Sequence, residues 1–205
     1  MIRAGLTGGY ATGKSLVANE LEQLGCHLIY ADALGHAVLE PGGEAYRPAV
    51  DLFGAGILAQ DGSIDRKKLA GIVFQSSELL AQLTAIVHPA VFHLEEKLIE
   101  SFEKQDPSGI AVIEAAILVE TGRYAFFDRL IVTAADEETQ ITRGMKRDGI
   151  TREEVQARLS RQLPQEEKKA HAHYVIDTSG TKENTIRQVR EVYEDLRQLA
   201  KGGGA

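Results

Sequence analysis

The chain's 205 residues are 43% hydrophobic and 26% charged, the make-up of an ordinary soluble globular protein with one α/β core and one or two insertions. Its 23 Lys and Arg against 30 Asp and Glu leave a net charge of −7, so nothing marks nucleic-acid or acidic-membrane binding, and anionic ligands need local basic clusters. No apolar run approaches membrane-spanning length, and the N-terminus opens on a strand without room for a signal peptide, so a cytoplasmic location is expected.

The first element is the apolar run Ile2–Thr7, read as a strand. It leads into Gly8-Gly9-Tyr10-Ala11-Thr12-Gly13-Lys14-Ser15, which spells G-x-x-x-x-G-K-S. Leu16, Val17, Leu21 and Leu24 then return on one helical face. A strand, this loop and a helix in succession make a phosphate-binding loop. Glycines are needed because backbone N–H groups must wrap a polyphosphate that side chains would keep away. Lys14 brings a charge to the β- and γ-phosphates, Ser15 a hydroxyl for Mg²⁺, and the helix N-terminus its positive dipole end. Gly8, Gly9, Ala11, Thr12, Gly13, Lys14, Ser15 and Leu16 are the expected ATP-binding positions.

Cys26–Tyr30 reads as a second short strand ending at Ala31-Asp32. The single cysteine, Cys26, excludes a disulfide framework and a Cys-rich zinc site, and its apolar neighbours make it small core filler. Asp32 stands where parallel strands present their ligands, and it would equally serve as N-cap of the helix bearing Leu34, Ala37 and Val38. From residue 35 to about 105 no strand alternates with helix. Asp65 looks like an N-cap, and Arg66-Lys67-Lys68 puts positive charge at the wrong end of the following helix for its dipole. A surface accident explains that, and so does a bound anion. Leu79 to Val87 and Val91 to Phe102 are helical in period, with His88-Pro89 expected to kink or split the helix between them. This helical block has the character of a substrate-binding insertion.

Ile110–Ile113 is an apolar run of the buried parallel type, ending in Glu114. An acid at that strand tip suits a Mg²⁺-water contact; Glu120 either shapes the same cleft or sits on a one-turn helix. Arg129–Thr133 is a fourth strand, Asp136 caps a helix bearing Arg143 and Arg147 on one face, and Thr151 to Glu154 is a capping box. From Arg143 to Lys169 there are 8 Lys and Arg against 5 Asp and Glu. That run is either a solvated face or a mobile basic flap closing over phosphates. Tyr174–Ile176 is the fifth strand, Ile186 to Leu199 forms an amphipathic final helix, and 202–205 reads as a flexible tail.

A GTPase switch would need an N-K-x-D segment, and the sequence has none. A motor or regulatory NTP-binding module would carry a clear Walker B Asp on a larger chain. A compact small-molecule kinase fits best, with the nucleoside-monophosphate type and a non-kinase module as alternatives.

Leu6-Thr7-Gly8-Gly9, Ala31-Asp32, Phe53-Gly54, Asp61 to Arg66, His88-Pro89, Arg147-Asp148-Gly149, Pro164 to Lys168 and Val175-Ile176-Asp177 share order and spacing with one family. Over roughly residues 1 to 195 the chain resembles the dephospho-coenzyme A kinases. The resemblance implies transfer of the ATP γ-phosphoryl to the ribose 3′-hydroxyl of dephospho-coenzyme A, the last step of coenzyme A synthesis. It implies a three-layer P-loop fold with a five-stranded parallel core at 1–34, 108–142 and 172–205, a helical substrate domain at 35–107 and a lid at 143–171. Asp32 matches the base that accepts the hydroxyl proton; Arg66, His88 and Glu120 fall on the substrate side; Arg143 and Arg147 match lid arginines over ATP. Expected partners are the small-molecule substrate alone, without nucleic acid or membrane, in a monomer or weak homo-oligomer. The sequence departs from the family pattern at Ala11 for glycine, Tyr30 for Asp, Ala116 for Pro and Thr178 for Asn. None of these removes Lys14, Ser15 or Asp32.

Overall fold

In the computed structural model, which describes residues 1–202, the apolar runs become a five-stranded parallel sheet. The strands are β1 (Ile2–Gly8), β2 (His27–Tyr30), β3 (Ile110–Glu114), β4 (Arg129–Ala134) and β5 (Tyr174–Asp177), in the spatial order β2-β3-β1-β4-β5. Strand β1 is central, pairing in parallel with β3 (Leu6 opposite Glu114) and with β4 (Gly8 opposite Thr133). Its residues Ala4 to Gly8 are buried, so the chain leaves the middle of the sheet directly into the phosphate loop. That is why the loop stands at the C-terminal end of the sheet, where open α/β sheets hold ligands.

Two helices cover the sheet from the ends of the sequence. Helix α1 (Lys14–Gln23) buries Val17, Ala18 and Leu21, and the last helix, Lys182–Gly202, buries Val189, Val192 and Leu196. The two pack on each other, and each fully buried Val or Leu is worth about 1.5–3 kcal/mol by area. Cys26 is buried as filler, and that burial pushes its thiol up to about 12, leaving it unreactive. Of the expected tail, Gly202 closes the last helix and 203–205 lie outside the described residues.

The chain divides into two compact units. One joins Met1–Ile29 to the chain from Phe102 onward; the other is Tyr30–Ser101, against 35–107 expected from sequence. The second unit is helical: α2 (Ala31–Ala37), α3 (Tyr46–Phe53), α4 (Arg66–Val73) and α5 (Ser77–Gln105), whose last turn belongs to the first unit. Ala49, Ile57, Ile64, Leu69 and Val73 form one of its cores, and Val38, Ala45, Ala90 and Val91 another. Asp65 caps α4 by accepting from the Lys67 and Lys68 N–H groups at 3.0 and 3.2 Å.

One expectation is corrected, and of two alternatives at Pro89 one is excluded. Asp32 is not an N-cap: α2 starts at once after β2, with Tyr30 as the capping residue and Asp32 inside the first turn, where its charge still meets the positive dipole end. Pro89 does not split α5, which runs on for 29 residues. Pro89 and Ala85 are both exposed, so the helical hydrogen bond that proline removes is lost on the solvent side of α5. Among the described residues, no helix is long and apolar enough to cross a membrane.

The segment expected to form a flap, 143–171, takes in the second half of α6 (Glu137–Asp148) and all of α7 (Arg152–Leu159) and α8 (Gln165–Ala170). Asp136 caps α6 through the Thr139 N–H at 2.7 Å, Gly149 ends it with φ 66°, and Thr151 with Glu154 forms the capping box of α7. Among the charged residues of the run Arg143 to Lys169, read as either a solvated face or a mobile basic flap, one is buried. Lys168 is fully buried.

Candidate active site

The phosphate loop is held open by its own backbone and by buried hydroxyls. Gly13 caps α1 with φ 79°, and a Cβ on Gly8 would fall 2.0 Å from Thr133 Oγ1, so only glycine fits there. Thr12, 1% exposed, donates its hydroxyl to the Gly9 carbonyl at 2.8 Å and meets the Thr133 hydroxyl at 2.7 Å. Lys14 folds back so that Nζ donates to the Gly8 carbonyl at 3.1 Å. Ser15 lies exposed in the first turn of α1, and the Leu16 N–H is engaged by Gly13 O at 3.0 Å. Ala11 alone among the described non-glycine residues has a left-handed backbone, at φ 57°. An L-residue pays about 1–2 kcal/mol for that conformation, which a glycine there would adopt freely.

The two arginines of α6 reach this loop by different routes. Arg143 donates from Nη1 to Thr178 Oγ1 at 2.9 Å and from Nη2 to the Thr178 carbonyl at 2.5 Å. Thr178, 1% exposed, donates its own hydroxyl to the Thr12 carbonyl at 2.9 Å. Arg143 is thereby tied to the loop through a buried neutral bridge. Arg147 lies over the Tyr10 ring with its guanidinium carbon 4.7 Å from the centroid, and donates to Asp148 from Nε at 2.7 Å. Asp148 also accepts from Tyr10 and from Arg158, both at 2.5 Å. The Arg147 guanidinium, and then the Tyr10 hydroxyl, hold the Asp148 carboxyl far below the usual carboxylate range, and the same contact raises Arg147. Lys14, Arg143, Arg147 and Arg158 thus gather positive charge around the loop in a chain of net −7.

Lys168 of α8 points its ammonium at the Ala116 carbonyl, 3.3 Å away, and at the Glu120 carboxylate. The Thr7 hydroxyl donates to the same Ala116 carbonyl at 3.2 Å. Glu120 therefore has a structural partner in addition to any ligand. Glu114, at the tip of β3 opposite Leu6, and Ser15 offer one carboxylate and one hydroxyl. Among the described residues no group of three His, Cys, Asp or Glu side chains is placed to hold a metal. That sparse hard-oxygen set suits Mg²⁺, which takes one or two protein ligands and fills its shell with phosphate and water.

The remaining expected residues belong to the helical unit. Asp32 is exposed on α2. Arg66 donates from Nη2 to Glu40 at 3.1 Å, with both side chains 54% exposed. His88, half-buried on α5, tilts against the Phe92 ring at 5.7 Å.

Sequence reasoning missed three contributors: Lys168, Thr178 as the bridge to Arg143, and Tyr10 as the seat of Arg147. A polar residue directly after the last strand was the available signal for Thr178; the others depend on partners far away in sequence.

A family model described as "Dephospho-CoA kinase" matches residues 2–184. A dephospho-CoA kinase of Aquifex aeolicus is 42% identical over 196 residues, covering 96% of this chain and 98% of that one. A solved structure from Thermus thermophilus is 32% identical with a TM-score of 0.79, covering 95% and 97% of the two chains. The solved dephospho-CoA kinase of Campylobacter jejuni is 25% identical with a TM-score of 0.73, covering 96% and 98%.

Proposed function

This chain belongs to the dephospho-CoA kinase family, and we propose from that premise that it moves the γ-phosphoryl of ATP to the ribose 3′-hydroxyl of dephospho-coenzyme A, giving coenzyme A and ADP. The activity of the family is ATP-dependent phosphorylation of dephospho-coenzyme A in coenzyme A synthesis. The observation that carries the reading is the phosphate loop joined to the arginines of α6, in a chain whose family match covers nearly all its length.

In this reading the hydroxyl oxygen attacks the γ-phosphorus, the bond from that phosphorus to the β–γ bridging oxygen breaks, and Asp32 accepts the hydroxyl proton. The carboxylate is exposed and can meet a hydroxyl without first losing a buried partner. Lys14 supplies positive charge to the β- and γ-phosphates, and the loop N–H groups with the α1 terminus cradle them. Arg143 and Arg147 face the charge that spreads over the transferring group, the task for which pre-positioned cations are most effective. Ser15, with Glu114 through water, would hold Mg²⁺, which when bound neutralises β- and γ-oxygen charge. Arg66 and His88 serve the acceptor. Arg66 sits in the first turn of α4, and the pyrophosphate of dephospho-coenzyme A would replace its solvent-exposed partner Glu40. Glu120 shapes the acceptor side with Lys168 as its anchor. By the same reading the helical block 35–107 is the substrate domain and 143–171 the lid.

The test is ADP release coupled to an indicator reaction over a panel of dephospho-coenzyme A, adenosine, AMP, shikimate and pantothenate. Release confined to dephospho-coenzyme A, with the new phosphate on the 3′-oxygen of the product, is expected. Turnover confined to another acceptor would assign a different P-loop kinase, and acceptor-independent hydrolysis a non-kinase module.

A further inference from the structure

Every polar atom of Tyr10 is engaged by the segment 140–162. Its N–H donates to Gln162 Oε1 at 2.7 Å, its carbonyl accepts from Gln140 Nε2 at 2.6 Å, and its hydroxyl donates to Asp148 Oδ2 at 2.5 Å. The ring lies beneath Arg147 at 4.7 Å and Arg158 at 5.5 Å. Its edge rests on Gly144 of α6, where a Cβ would stand 2.6 Å from Tyr10 Cε1, so the helix is notched to admit the ring. One side chain of the phosphate loop therefore supports one of the two arginines and braces the carboxylate that orients it.

The physical demand behind this arrangement is rotamer freedom. An exposed arginine explores many conformers, and a cation that waits for developing charge is useful only if it is already aimed. Arg147 is 58% exposed in its side chain, so packing alone does not fix it. The flat Tyr10 face restrains the guanidinium plane through a cation–π contact, and the bidentate Asp148 contact restrains its rotation. Because Tyr10 lies within the loop that holds phosphate, the aim of Arg147 is set from the loop itself.

We propose that Tyr10 is a positioning residue for phosphoryl transfer, acting through Arg147 without touching the reacting atoms. The inference rests on the reading of Arg147 given above, and the two fail separately. The experiment is a kinetic double-mutant cycle of Tyr10→Leu and Arg147→Ala, with saturating ATP and dephospho-coenzyme A and with a melting curve for each variant. Tyr10→Leu is expected to lower kcat roughly two- to fivefold, the scale of a cation–π contact at an exposed site, while the KM for ATP moves by less than that. Tyr10→Phe, which keeps the ring and loses the hydroxyl, is expected to recover most of that loss. In the Arg147→Ala background, Tyr10→Leu should cost nothing more. If Tyr10→Leu melts without cooperativity, Tyr10→Met carries the same cycle.

Additive losses would overturn the inference while leaving Arg147 its role, and so would an unchanged kcat in Tyr10→Leu. A wild-type kcat in Arg147→Ala would overturn the role of Arg147, and with it any need to position that residue.

Discussion

In the sheet unit, Thr12, Thr178 and Arg143 form one hydrogen-bonded chain with both hydroxyls buried, whereas in the helical unit Asp32 is exposed and Arg66 holds only a half-exposed partner. On the proposed function, the contrast follows from what each unit would handle. A triphosphate presents the same fixed anionic shape at every turnover, so a rigid, pre-paired receptor lowers the reorganisation its binding requires. A hydroxyl acceptor needs a carboxylate that can take a proton, and deep pairing with a cation would depress its basicity. A solvent-screened ion pair such as Arg66–Glu40 is worth about 0–1 kcal/mol, so an incoming anion exchanges it at little cost.

Substitutions that break this contrast should differ in scale. Lys14→Ala removes the loop's own cation, and kcat measured on folded protein should fall by roughly 100- to 1000-fold. Lys168→Met should cost stability first: it leaves the Ala116 carbonyl and the partly exposed Glu120 carboxylate without their ammonium, a loss of about 1–3 kcal/mol in denaturant unfolding. Unchanged stability would mean that the Lys168–Glu120 pair contributes nothing net. Thr178→Val deletes the hydroxyl between Arg143 and Thr12, and should lower stability by about 1 kcal/mol while raising the KM for ATP. Ala11→Gly should have the smallest effect. It relieves the left-handed strain but restores chain entropy to the unfolded state, for a net gain below about 1 kcal/mol in melting experiments.

Signals that act over a few residues were legible in the sequence. The phosphate loop, the five strands, the Asp65 and Asp136 caps and the Thr151–Glu154 box depend on spacing within one turn or strand, and the chain forms each of them. The site's side-chain wiring was not legible, because it joins residues far apart. Tyr10 meets Asp148 across 138 positions, and Thr178 meets Thr12 across 166. A charged run such as Glu166–Lys169 carries no mark of which lysine is buried; that depends on where α8 meets the turn after β3. Local rules also failed where another element took precedence. Strand β2 runs straight into α2, so the cap falls to Tyr30, and an exposed face lets α5 continue through Pro89. The departure at Ala11 was visible in the sequence, but its left-handed φ required the structure.

The division between a prebuilt nucleotide side and a chemically poised acceptor side meets its most direct test in Asp32→Asn. Purified, folded Asp32→Asn should bind ATP with an unchanged Kd in calorimetry and turn over dephospho-coenzyme A at least ~100-fold more slowly, the scale for losing a general base. Turnover near the wild-type rate, or a weakened Kd for ATP that accounts for the loss, would contradict it.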